Sequence, residues 1–161
     1  MREREQFEEL SSVVALGLLA EDMVLVVGRV LRGNDIGDRD RHVLRDARRL
    51  FEVLTEETVV PMSWTRERMV ADDAYRDAMR IVRERALTID QSEREAAAEL
   101  VALLDAVLDG TLGDEQTEQL VKLREIFVEV GKTMLMRSNE LMRSRQETIS
   151  SWRPMQATSL S

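Results

Sequence analysis

The chain has 161 residues, enough for one domain with a real core; 43% of them are hydrophobic and only 4% aromatic, so that core is aliphatic. A net charge of −8 argues against general affinity for nucleic acid or anionic membranes. The absence of cysteine excludes disulfides, thiolate catalysis and cysteine metal sites, and agrees with a reducing compartment. Met1 to Gln6 carries charges of both signs and does not read as a signal peptide. The most apolar stretch, Val13 to Leu31, is interrupted by Glu21, Asp22 and Arg29, whereas a membrane span is nearly charge-free over about 20 residues. A soluble cytoplasmic protein is expected, with no membrane partner.

Five helices are predicted, and the low proline and glycine content favours them over strands. The first runs from about Glu3 to Arg32 and stops at Gly33-Asn34, a usual C-terminal cap pairing. Its polar positions Glu8, Ser11, Ala15, Asp22 and Arg29 fall on one narrow stripe, so a helix covered on most other sides is expected, in its own bundle or by another subunit. Gly17 and Gly28 lie three turns apart and share a face, which suggests close backbone approach. Glu21 falls on that face. It is expected to be buried against an arginine or, alternatively, to serve as a site carboxylate in a pocket left by the glycines.

Asp38 is placed to cap the second helix, whose inner face is Leu44, Ala47, Phe51 and Leu54, and which should end near Val59 ahead of Pro61. The third helix is predicted from Thr65, with Trp64 and Met69 set for a hydrophobic staple. Its inner face is Tyr75, Ala78, Val82 and Ile89, helped by Met79 and Ala86. The fourth opens on Ser92 and Glu95, a capping box, buries Ala97, Leu100, Val101, Leu104 and Leu108, and ends at Asp109-Gly110. The segment Asp105 to Gln116 has calcium-loop spacing only in part. Val107 takes a ligand position and Gln116 replaces the bidentate glutamate, so a helix–glycine–helix corner is the better account.

The fifth helix, capped by Asp114 and running to about Arg145, carries the clearest pattern. Leu120, Leu123, Phe127, Val130, Met134, Arg137 and Leu141 follow heptad steps of three and four, with Arg137 where an apolar residue is expected. Val121, Val128, Leu135 and Met142 form a second row beside it, giving a stripe wider than a two-stranded zipper needs. A lone charge such as Arg137 can fix register and partner choice. After about Thr148 the pattern dissolves. The domain is therefore placed at 1–149 and a C-terminal tail at 150–161, with Trp152 as a candidate docking residue for a partner.

Charge is uneven along the chain. Asp38 to Arg49 holds Arg39, Arg41, Arg45, Arg48 and Arg49, while Asp90 to Glu118 is rich in acids with only Arg94 against them. Complementarity between these segments is the simplest reading. Binding of nucleic acid or a phosphate ligand by the second helix is an alternative, though neither aromatic interleaving nor a glycine-rich loop supports it.

His42 is the only histidine and lies in Arg41-His42-Val43-Leu44-Arg45-Asp46-Ala47. With Leu44 two residues on and Arg45 three on, this short run resembles the histidine phosphotransfer motif, carried on a helix of an acidic four-helix bundle. The resemblance implies a phospho-accepting His42, with Arg45 stabilising the phosphoryl oxygens. The family has glycine four residues after the histidine, where this chain has Asp46, and its histidine sits mid-helix rather than in the first turn.

One histidine and no cysteine leave no Cys-His pair, and the paired Glu-x-x-His of helical di-iron proteins is absent. The expectation is an all-α antiparallel bundle of about five helices, non-enzymatic, without metal or cofactor. It is expected to act as an adaptor that self-associates, most simply as a dimer through its first and last helices, and to bind a further protein whose identity the sequence does not give. The interaction residues are Gly17, Glu21, Gly28, Phe127, Met134, Arg137, Leu141 and Trp152.

Overall fold

A computed structural model describes the backbone of residues 2–55 and 73–160, and side-chain surroundings over 4–55 and 76–147. Five helices are described: α1 (Arg2–Leu31), α2 (Asp38–Thr55), α3 (Asp73–Ala86), α4 (Gln91–Asp109) and α5 (Asp114–Leu160). The chain is an all-α helical bundle, and no strand occurs among the described residues. The predicted end of the second helix near Val59, the start of the third at Thr65 and the Trp64–Met69 staple lie outside the described residues, as does the side chain of Tyr75.

The helix ends follow local chemistry. Gly33 adopts a left-handed φ of 74°, and its N–H and that of Asn34 bond the carbonyls of Val30 and Arg29 at 3.0 Å each. Gly110, at φ 71°, closes α4 in the same way and makes the corner that the calcium-like spacing only imitated. Helix starts differ from expectation by one or two residues. Asp90, not Ser92, caps α4, its carboxylate accepting the Glu93 N–H at 2.8 Å. Asp90 and Glu93 have the same spacing as Ser92 and Glu95, so the earlier of two overlapping caps is used. At α5 the cap is Gly113, whose N–H donates to Gln116 Oε1, leaving Asp114 as the first helical residue.

α1 is the central element, packed along α5 and against α3 and α2, while α2 also packs on α4. One part of the core joins Ala20, Met23, Val26 and Val27 of α1 to Leu44, Leu104, Leu120 and Leu123. A second part joins Ala15 and Leu16 to Leu50, Val53, Ala78, Met79 and Val82. Phe51 and Phe127 meet edge to face, ring centres 5.8 Å apart. Part of the charge asymmetry is met within the chain. Arg48 Nε lies 2.5 Å from Asp105 on α4, and Arg41 donates to the Leu108 carbonyl. Hydrogen bonding to Asp105 raises the Arg48 pKa against the opposing effect of burial.

One expectation fails at the C-terminus. The polar segment from Thr148 continues as helix to Leu160, giving α5 47 residues, about 70 Å at 1.5 Å per residue. Loss of an apolar period removes a face to bury, but extending an existing helix costs far less than nucleating one.

Candidate functional site

α1 and α5 run antiparallel. A Cβ added to Gly17 would meet Met134 Cβ at 3.3 Å, one added to Gly131 would meet Ala20 Cβ at 3.8 Å, and Arg137 forms an ion pair with Glu9. Small residues thus set the approach of the two helices at Gly17, as expected from the sequence. Gly28 makes no such contact, since a Cβ there would meet nothing within 4 Å. Leu120, Leu123 and Phe127 are buried, Met134 and Leu141 half-buried. The seam then turns from Arg137 to Ser138, which is buried and donates to the Leu135 carbonyl at 2.8 Å.

Glu21 is exposed rather than buried against an arginine. The helix wheel alone does not fix which side of α1 the other helices cover; α5 meets the glycine face only at its Gly17 edge, and Glu21 falls outside that contact. The partly buried ion pair on α1 is instead Arg29 with Asp40 of α2, at 2.6 Å. Hydrogen bonding to Arg29 holds the Asp40 carboxyl below its ordinary value, although burial pushes the other way.

The outward side of α1 is unusual. Phe7 (59% exposed), Val14, Leu18 (53%) and Leu25 (57%) all face solvent. Ala15, read as part of the polar stripe, is buried. Val14, Leu18, Glu21 and Leu25 follow steps of four, three and four, a second heptad row with one charge in it. On α5 the row Val121, Leu135 and Met142 is exposed as well, with Val128 half-buried. In an antiparallel pair of right-handed helices, moving forward by one residue from the contact turns both helices to the same side. The two rows therefore flank one another, while α2 and α3 cover the other side.

The seven exposed side chains of this face present on the order of 700 Å², close to the about 800 Å² per partner of a standard interface. The α1 row was legible in its heptad steps, but two apolar rows on one helix left open which would be covered.

α1 is also long and apolar enough to cross a membrane, by length and composition only. An 18-residue window holding no more than two charged residues has a mean hydropathy of 2.0, and 44% of that window is buried inside the bundle.

His42 is exposed, with Nε2 3.3 Å from the carboxylate of Asp46, itself buried and 3.6 Å from Arg49. Arg45 is exposed one turn away. A carboxylate at that nitrogen opposes an incoming phosphoryl group through like charge. Among the described residues, no three His, Asp or Glu side chains gather where a metal ion could be held. Trp152 lies on the helical end of α5, and its side chain is outside the described residues.

Comparison with protein-family models, with curated proteins and with solved structures finds no match.

Proposed function

We propose that this chain is a non-enzymatic, cytoplasmic adaptor that works as a two-fold dimer, its α1/α5 outer face covered by a second copy. The observation that carries this reading is the pair of neighbouring rows of exposed apolar side chains on α1 and α5, interrupted by Glu21 and Lys132, whose summed area is about that of one side of a stable interface. Charge supports a second copy as the occupant. A two-fold axis parallel to the helix pair would lay each α1 on its partner's α5 at the same level. The Gly17–Met134 and Ala20–Gly131 register then brings Glu21, the one charge in the α1 row, to within about two residues of the level of the partner's exposed Lys132, which lies 3.5 Å from Glu129 of its own chain. Arg137 acts within the chain, through Glu9, to hold α1 and α5 in the register that builds the face.

In this reading the C-terminal segment with Trp152 is left to engage a different protein. Nucleic acid is a poorer candidate, because Arg41 and Arg48 on α2 are already engaged with α4. Sedimentation velocity at tens of micromolar tests the proposal. A dimer that Leu18→Asp or Leu135→Asp dissociates is expected. A wild-type monomer would overturn it, and a monomer that floats with lipid vesicles would assign the face to a bilayer instead.

A further inference from the structure

On the opposite, α3 side of the α1/α5 pair lies a cleft of about 570 Å³, within the range of small-molecule sites. Its walls carry Glu5, Glu8 and Glu9 from α1 and Glu84 from α3, against Arg80 and Arg137. The two arginines are each engaged. Arg80 lies 3.5 Å from Glu8, and Arg137 pairs with Glu9. Glu5 and Glu84 make no ion pair among the described residues, so the cleft retains unbalanced negative charge.

A second observation is independent of the charge. Ser12, only 2% exposed, lines the cleft, and its hydroxyl has no hydrogen-bond partner. A helical serine can ordinarily bond the carbonyl four residues back, and leaving a buried hydroxyl without a partner is destabilising. Val13, Ile81 and Met134 supply apolar wall beside it.

We infer that this cleft binds a linear aliphatic polyamine, one ammonium donating to Ser12 Oγ and others to Glu5 and Glu84, with the methylene chain against Val13, Ile81 and Met134. The chemistry follows from the lining. Carboxylates and a hydroxyl accept from N–H, the apolar wall suits methylenes, and an ammonium spaced along a chain matches acceptors at the floor and the rim. The overall charge of −8 adds long-range attraction for such a ligand.

Isothermal titration of the full chain with spermidine in 0.1 M salt tests this. Saturable one-site binding is expected, weakened about tenfold by Glu5→Gln with Glu84→Gln and about threefold by Ser12→Ala. Glu118→Gln, on exposed α5 surface near the far end of the bundle, should leave it unchanged. No saturable binding, equal competition by magnesium at matched ionic strength, or equal weakening by Glu118→Gln would overturn the inference. If Ser12→Ala does not fold, the exposed Glu5 and Glu84 pair carries the test alone.

Discussion

Gly17 of α1 sits so close to α5 that a Cβ added to it would lie 3.3 Å from the Cβ of Met134. A Cβ is fixed to the backbone and cannot swing aside, so an alanine here requires α5 to give by a few tenths of an ångström at Met134. Gly28, on the same helix, has open space where its Cβ would be. Gly17→Ala should therefore give no gain or a loss of stability, whereas Gly28→Ala should stabilise by about 0.5–1 kcal/mol through helix propensity. Urea denaturation of the two variants compares them directly, and a gain at both positions would mean that α5 yields at Met134.

Glu21 offers a test of the proposed dimer. Being exposed, it should tolerate Glu21→Ala with a stability change within about 0.5 kcal/mol at concentrations where the chain is monomeric. Glu21→Lys should weaken self-association by placing like charge beside Lys132 of the partner, and Lys132→Glu in the same chain should restore it. Sedimentation equilibrium on the single and double variants reads this. Failure of the double variant to recover would place the two-fold axis elsewhere.

The Arg29–Asp40 pair makes stability depend on acid. Because the folded Asp40 pKa is lowered, its contribution is fully present above the unfolded value, about 4, and is lost as pH falls through the folded one. Asp40→Asn should destabilise the protein at pH 7, and the gap from wild type should narrow steadily below pH 4. Denaturation midpoints across that range measure the gap, and a constant difference would assign the effect to packing.

Arg48 and Asp105 tie α2 to α4 with side chains 30% and 44% exposed. At that exposure solvent screens most of the attraction, so a double-mutant cycle should give a coupling of at most about 1 kcal/mol, falling with salt. A larger value, insensitive to salt, would show that the pair is shielded from water.

Some of this was readable in the chain and some was not, for physical reasons. Gly33 and Gly110 marked helix ends correctly because the left-handed conformation admits few alternatives. N-caps were less certain, since Asp90 and Ser92 both suit the role and the choice depends on where the preceding loop arrives. The attraction between the arginines of α2 and the acids around α4 was visible in composition alone and appears as Arg48 with Asp105; the pair of Arg29 on α1 with Asp40 on α2 was not. Glu21 was misplaced for a different reason. α1 carries apolar residues around most of its circumference, and periodicity ranks faces only when one of them is polar. The same ambiguity left open that the row of Phe7, Val14, Leu18 and Leu25 would face outward.

The unequal lengths of α1 and α5 carry a geometric consequence. With Gly17 level with Met134, the start of α1 at Arg2 falls near residue 149, so α5 overshoots by about 11 residues, roughly 17 Å. A two-fold axis parallel to the helices would send both overshoots out of the same pole, like the tines of a fork. A target touching one tine would then find the second already at high local concentration, and grip would rise without any new contact. An axis across the helices would instead put the tines at opposite poles, turning the same chain from a clamp into a spacer.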